Sequence, residues 1–337
     1  MFEIATRDIP MKAAYYDRQG NAREVLAIGE VETPRPGPGE VRVVIHVSGV
    51  NPTDIKARIG FSATMAHPRI IPHQDGAGII DAIGDGVSPD RLGERVWVFE
   101  AQSGRASGTA AEYVVVPASN AVPLPDNVPF EIGASLGIPA LTAHRCLFAD
   151  GDIKGKRVLI HGGAGVVGMA AILLAKWAGA WVATTVLSDS HLEIAKVAGA
   201  DLVINLMRED VPSIIQAHTD HHGVDRIVDV NLKANLEIDM ACLAQGGVIS
   251  SYATGQATDE IELPLLKAMV GGCVFRFVYI YNVGADAKRI AIEAINACLA
   301  SGVYNPKIAM QVPLEQIAAA HEALEAGTTV GKVLVRI

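Results

Sequence analysis

The stretch RVLIHGGAGVVGMAAILLAKWAGA (157–180) constrains this chain more than any other. A short β-type run is followed at once by Gly163-Ala-Gly165-Val166-Val167-Gly168, and then by a long apolar run with helical character. Three glycines at that spacing, between a strand and a helix, permit a tight turn, close backbone approach to a ligand and close helix–strand packing. The helix N-terminus then offers free N–H groups and a favourable dipole to an anion. A dinucleotide pyrophosphate is the ligand that this arrangement fits.

The rest of the chain agrees. From Lys156 onward, β-type runs at 157–161, 180–186, 201–205, 225–230, 246–253 and 273–280 alternate with helical stretches. Six such repeats predict a doubly wound parallel sheet, an α/β Rossmann unit. Before residue 130 the pattern differs. Runs at 11–16, 40–50, 76–84, 95–99 and 111–117 are separated by Gly and Pro clusters such as PRPGPGE (34–40), which predicts an antiparallel, barrel-like β-rich unit. Helical stretches at 285–301 and 314–326 precede a last strand, GKVLVRI, which has no place in a six-stranded parallel sheet and is expected to return to the β-rich unit.

Composition narrows the function classes. The 337 residues carry a formal net charge of −9, with 50% hydrophobic and 19% charged residues. An acidic chain without a Lys/Arg stripe is a poor phosphate-backbone binder, so no nucleic-acid partner is expected. The longest apolar stretch, 166–179, is interrupted by Lys176 and too short for a bilayer, and the first ten residues do not read as a signal peptide, so a cytoplasmic protein without a membrane partner is expected. Cys146, Cys242, Cys273 and Cys298 are far apart and read as buried reduced thiols.

The end of the second Rossmann strand bears on the dinucleotide. An NAD site usually has an Asp or Glu there for the ribose 2′-hydroxyl. Here the strand ends ATTVLSDSH, and the first acid, Asp189, comes late. Ser188, Ser190 and His191, with Arg208 beyond the next strand, are candidate donors to a 2′-phosphate, so NADP(H) is favoured over NAD(H).

Taken in order, GVNPTDIKARIG (49–60), IPHQDGAGIIDAIGDGV (71–87), GIPALTAHRCL (137–147), HGGAGVVG (161–168) and GKVLV (331–335) resemble the medium-chain dehydrogenase/reductase superfamily, and within it the zinc-free quinone oxidoreductase, ζ-crystallin-like branch. The resemblance runs from about Met11 to Ile337. It implies a GroES-like catalytic domain at 11–134, a Rossmann NADP(H)-binding domain at 135–281 and a return to the catalytic domain at 282–337, with NADPH in the cleft between. In the superfamily's zinc enzymes a cysteine ligand follows GV and a His-Glu pair precedes GAG; here Asn51 and Gln74-Asp75 stand in those places, and residues 98–112 hold no cysteine for a structural zinc. Carboxamides compete poorly with thiolate and imidazole for zinc, so no metal is expected. His218, His221 and His222 read as a solvated loop patch rather than a metal site, and His73 as a structural or pocket residue.

The implied activity is hydride transfer from NADPH to a quinone or related conjugated carbonyl. An enone or 2-alkenal reductase of the same superfamily is the nearest alternative, and an RNA-binding or structural crystallin role is the alternative of another class. Asn51 is expected beside the nicotinamide ribose or the acceptor, with Gln74 in the same site. Thr142, Gly163, Gly165, Val166, Val167, Gly168, Ser188, His191, Tyr252, Ala253, Phe277 and Lys332 make up the implied cofactor set. There are departures: Lys56 and Ser62 fall about where many bacterial members carry tyrosines, His191 where a lysine often pairs the 2′-phosphate, and Leu206 where a tyrosine is frequent. With a histidine at 191 in place of that lysine, NADPH affinity is expected to fall as pH rises. A long, apolar sixth strand at the sheet edge predicts a homodimer.

Overall fold

The computed structural model describes residues 10–327 and 329–337. The chain forms two compact units: unit 1 comprises the chain up to Ile138 together with Ile308–Ile337, and unit 2 comprises Pro139–Lys307. In chain order the strands are β1 (Met11–Tyr15), β2 (Ala27–Val31), β3 (Glu40–Val50), β4 (Asp75–Ile83), β5 (Arg95–Val98), β6 (Tyr113–Pro117) and β7 (Ala121–Pro123). The chain then runs through β8 (Arg157–Ile160), β9 (Trp181–Val186), β10 (Leu202–Asn205), β11 (Val224–Asp229), β12 (Leu243–Ser251) and β13 (Val274–Phe277), and closes with β14 (Ile308–Pro313) and β15 (Lys332–Arg336).

Unit 2 is the Rossmann unit. Its six strands pair in the order β10-β9-β8-β11-β12-β13, parallel throughout. That order has its switch point at β8, the strand that feeds the glycine loop, and ligands of such sheets bind beyond the carboxyl ends of the strands. Val158, Leu159 and Ile160 of β8 are fully buried, as expected of a parallel strand covered on both faces. The core joins Leu159, Ala183, Ile204 and Ile227 of the sheet to Val211, Ile215, Leu232, Leu236 and Met240 of the helices over it.

Unit 1 is the β-rich, GroES-like unit. A sheet of order β14-β15-β3-β4-β5-β7, with β6 also on β3, is antiparallel except for the β14–β15 pair. The last strand does return here, pairing Val333 with Val50 and Arg336 with Val47.

Three details differ from the sequence expectation. Strand β14, Ile308–Pro313, falls in a stretch with no clear strand pattern and exists because β15 gives it a parallel partner. The edge strand β13 has only four residues, since the chain turns into a short 3-10 helix at Ile280–Asn282 instead of extending. Helix Ala285–Ala300, assigned from sequence to the returning segment 282–337, belongs to unit 2 and packs on helix Val166–Trp177.

Candidate active site

The glycine loop is shaped by collisions that a Cβ would cause. The turn itself is made by Gly162 (φ +74°), one residue before the motif read from sequence. The amides of Gly162 and Gly163 donate to the Thr185 carbonyl at 3.1 and 3.0 Å, tying the loop to β9. A Cβ on Gly163 would lie 2.1 Å from Thr184 Oγ1, and one on Gly168 2.2 Å from the Gly162 carbonyl oxygen. Gly165, by contrast, is exposed and is the N-cap of helix Val166–Trp177, and its hypothetical Cβ meets only the Gly162 oxygen at 3.2 Å. Two glycines thus allow packing and a third keeps main chain bare at a helix N-terminus. This is the cradle that a dinucleotide pyrophosphate requires. Val166 and Val167 are half-buried in the first turn of the helix.

Under the loop lies a buried polar group that the sequence reading missed. His161 Nε2 bonds Asp239 Oδ1 at 2.8 Å, and Nδ1 bonds Thr185 Oγ1 at 2.9 Å. Burial lowers the His161 pKa, but the bond and charge of Asp239 outweigh it and the net direction is upward. Asp229, which accepts from Asn235 at 2.7 Å, is pushed up to about 6 by burial and by the charge of Asp239.

At the end of β9, Ser188 caps a short turn, Asp189–His191. Its hydroxyl accepts from the Ser190 amide at 3.3 Å and shares a hydrogen bond with the Ser190 hydroxyl at 2.9 Å. Asp189 accepts from Asn205 Nδ2 at 2.6 Å and pairs with Arg208, so its carboxylate is already supplied with donors from its own chain. His191 is half-buried on the same turn. Tyr252 and Ala253 follow β12 directly and are half-buried, with the Tyr252 amide on the Asp229 carbonyl at 3.2 Å. Thr142 is buried within helix Gly137–Phe148, and Phe277 ends the edge strand 69% exposed.

In unit 1, Asn51 and Lys332 come together although 281 residues separate them. Lys332 Nζ donates to Asn51 Oδ1 at 2.7 Å and to Asp75 Oδ2 at 3.2 Å. Asn51 Nδ2 donates to the same Asp75 oxygen at 2.7 Å, and the Ile138 amide holds Asp75 Oδ1 at 2.9 Å. Lys332 and Asp75 are wholly buried. Asn51 is also the N-cap of helix Pro52–Ile59, and its amide donates to Asp54 Oδ2 at 2.7 Å, half of a capping box. Burial, then the charge of Asp75, pushes the Asp54 carboxyl up to about 8. Two glycines make room for the cluster. A Cβ on Gly137 would strike Asp75 Oδ1, and one on Gly49 would lie 2.1 Å from the Ala134 carbonyl oxygen and 2.9 Å from Lys332 Cε. Gln74 does not join this cluster: its carboxamide exchanges hydrogen bonds with Gln102 at 3.2 and 3.3 Å.

A second chain of buried groups reaches the Asp75 backbone. The Thr109 hydroxyl donates to the Asp75 carbonyl at 2.5 Å, which leaves its oxygen to accept from Ser48 at 2.7 Å. Ser48, its hydrogen spent, accepts from His73 Nδ1 at 2.8 Å. His73 Nε2 then has no hydrogen and accepts from His321 Nε2 at 2.9 Å, and His321 Nδ1 accepts from Arg58 Nε at 3.3 Å. One tautomer assignment satisfies every link, with both imidazoles neutral. Burial, then neighbouring positive charge, lowers both histidines, His321 to about 3. Arg58 at one end does not release a proton and a carbonyl at the other does not bind one, so the chain is a strut rather than a proton wire. It holds His73 at φ +81°, a backbone state unfavourable for any residue with a Cβ.

The residues present do not form a zinc set. Asn51, Gln74 and Asp75 offer no thiolate or imidazole, and the Lys332 ammonium occupies the cation position between the Asn51 and Asp75 oxygens. Both ring nitrogens of His73 are engaged. Among the described residues, the group with ligand atoms close together is His161, Asp229 and Asp239, whose histidine is already bonded to Asp239. His218, His221 and His222 are exposed around the turn that ends helix Val211–His218.

Two segments of the chain match known protein families. Residues 37–126 match the alcohol dehydrogenase GroES-like domain family, and residues 166–296 the zinc-binding dehydrogenase family. A quinone oxidoreductase of Rattus norvegicus is 32% identical over 317 residues, covering 93% of this chain and 94% of that protein. The crystal structure of an NAD-dependent alcohol dehydrogenase superposes with a TM-score of 0.85 at 28% identity, covering 97% of this chain and all of the other. A mycobacterial protein complexed with NADPH does so with a TM-score of 0.83 at 25% identity, with the same coverage.

Proposed function

As a member of the quinone oxidoreductase branch of the medium-chain dehydrogenase/reductase superfamily, this chain is an oxidoreductase served by a nicotinamide coenzyme, and we propose that it is an NADPH-dependent, zinc-independent quinone reductase. The coenzyme, when bound, supplies the hydride. Main-chain amides at 163–168 would hold its pyrophosphate, with Val166 and Val167 beside it. Ser188 and His191 would meet the ribose 2′-phosphate. In support, Asp189 is already paired with Arg208 and Asn205, which lessens the repulsion that a free carboxylate would exert on a phosphate. Thr142, Tyr252, Ala253 and Phe277 complete the proposed coenzyme set. Asn51, anchored by Lys332, orients the acceptor, and Gln74, beside Asp75 in sequence and tied to Gln102, is proposed to border the same site.

The observation that carries the reading is the ammonium of Lys332 lodged between Asn51 and Asp75, where the family's zinc enzymes need a vacant cation position. Zinc-assisted alcohol oxidation needs a Lewis acid at the alkoxide, whereas a quinone accepts hydride readily. The test is turnover of chelator-treated protein with NADPH or NADH against 1,4-benzoquinone, 9,10-phenanthrenequinone and a 2-alkenal. The reading expects quinone reduction with NADPH that chelation leaves unchanged. Preference for the 2-alkenal would make the protein an enone reductase, and zinc-restored turnover would end the zinc-free assignment.

The same reading makes the protein a cytoplasmic homodimer. Four free cysteines fit a reducing compartment, and among the described residues no helix is long and apolar enough to cross a membrane. Leu266, Met269, Val270, Val274, Phe277 and Tyr279 are exposed on or near the edge strand β13, an apolar surface suited to a second copy. Light scattering after size exclusion measures the mass directly.

A further inference from the structure

We propose that Asp54 carries the proton that acceptor reduction consumes. The inference rests on the quinone-reductase reading and adds the acid that it lacks. Reduction of a quinone to a hydroquinone takes up one hydride and one proton. The coenzyme provides the first, and the second must come from a group that is protonated at neutral pH.

Donor counting identifies that group. Asp54 and Asp75 lie in one buried cluster with a single ammonium, Lys332. Asp75 receives three donors, from Asn51, Lys332 and Ile138, and is therefore the ionised member. Asp54 receives no cation: the Asn51 amide bonds its Oδ2 and the Gln74 backbone also favours its charged form, but neither offsets its burial, and its Oδ1 is buried without a hydrogen-bond partner. A charged oxygen in that position would be an uncompensated buried charge. With a proton on Oδ1, Asp54 becomes a neutral hydrogen-bond donor that still has no acceptor. An acceptor carbonyl held by Asn51, directly or through one water, would supply that missing partner.

The groups facing Asp54 from other elements do not compete for the role. Asp75 on β4 is committed to its three donors, and Lys332 on β15 to Asn51 and Asp75. Tyr16, after β1, is buried with its hydroxyl pushed up to about 12 by burial and by the charge of Asp54, so it retains its proton. Arg58, on the same helix as Asp54, is always charged, and the His73–His321 pair has all four ring nitrogens engaged. In the balanced step, the hydride brings two electrons to the quinone and the Asp54 O–H bond breaks to give its proton to the reduced oxygen. The products are hydroquinone, oxidised coenzyme and an Asp54 carboxylate, which regains a proton from water. Because the carboxyl titrates near 8, turnover is expected to be level below that pH and to fall above it, about tenfold per unit.

Infrared difference spectroscopy of the full-length protein against the Asp54→Asn variant tests the proton without any turnover. The wild type should show the carbonyl stretch of a protonated carboxylic acid at pH 7, absent from the variant and fading through pH 8. Asp54→Asn keeps the size, the neutrality and an oxygen for the Asn51 amide, so NADPH affinity should be unchanged while quinone turnover drops by about 100-fold and loses its alkaline limb. Asp54→Glu, which retains an acid, should recover part of the rate. Absence of the band in the wild type, or wild-type turnover in Asp54→Asn, would overturn the proposal. A wild type that carries the band but reduces no quinone would defeat the donor role through the failure of the quinone reading, with Asp54 still shown to be protonated.

Discussion

The glycine loop of unit 2 and the Asn51 cluster of unit 1 are both built to hold polar groups in a dry interior, by opposite means. The loop is made of main chain: ten consecutive residues, 159–168, contain the strand end, the turn and the helix start, and what matters is the absence of side chains at Gly163 and Gly168. The cluster is made of side chains from segments far apart in the chain, Asn51 and Asp54, Asp75, and Lys332, with glycines at 49 and 137 leaving space for them. A main-chain site tolerates changes at its half-buried valines but not the addition of a methyl group. A side-chain network tolerates volume changes around it but not the loss of one charge.

The largest expected effect is on the network. Lys332→Met leaves the Asp75 carboxylate buried without its cation, and removing one partner of a buried pair costs about 3–5 kcal/mol. Chemical denaturation followed through Trp97, wholly buried in unit 1, should show the loss, and a change under 1 kcal/mol would mean that the pair is dispensable. Acid comes next. His73 and His321 are neutral when folded and lowered from 6.5, so the unfolded chain binds protons that the folded one refuses. Stability is therefore level above about pH 6.5 and falls below it, by about 1.4 kcal/mol per pH unit for each histidine, down to about pH 3 for His321. His321→Phe should remove one histidine's share of that slope.

On the main-chain side, Gly168→Ala puts a Cβ 2.2 Å from the Gly162 oxygen and forces the loop open. The expected result is about 1–3 kcal/mol of lost stability and a NADPH dissociation constant raised at least about tenfold, read by fluorescence titration. Unchanged coenzyme affinity would remove the loop from the binding site. The smallest and most discriminating difference lies at His73. Alanine and glycine there both lose the strut, but only alanine bears the left-handed backbone, so His73→Gly should be more stable than His73→Ala by about 1 kcal/mol. Equal stabilities would mean that the turn relaxes once the imidazole is gone.

The two regions were also unequally legible before folding. Strand, glycine turn and helix could be read in one line of sequence, and so could the alternation that makes six parallel strands. Gly162 escaped because a positive φ leaves no mark beyond the glycine itself. Asp54 was within reach, since Asn-Pro-Thr-Asp is a helix-capping pattern with an acid at the third helical position. Nothing local pointed to Ser48, Thr109 or His321, residues of ordinary type in ordinary surroundings. Strand β14 was hidden for a related reason: its pairing depends on β15, more than 20 residues further on, and not on a strong alternation of its own.

The sequence by itself determined the parallel coenzyme-binding sheet, the turn that opens its first helix, and the absence of a thiolate set at the family's zinc positions. These follow from short-range sterics and residue chemistry, which neighbours in the chain express directly. Tertiary structure alone decided that Lys332 would fill the cation position, that Asp75 would collect three donors while one Asp54 oxygen was left buried without a partner, and that two histidines would be locked as opposite tautomers. Which of several ionisable groups keeps its proton in a dry interior depends on how many donors surround it. Those donors arrive from strands and helices that only the folded sheet brings side by side.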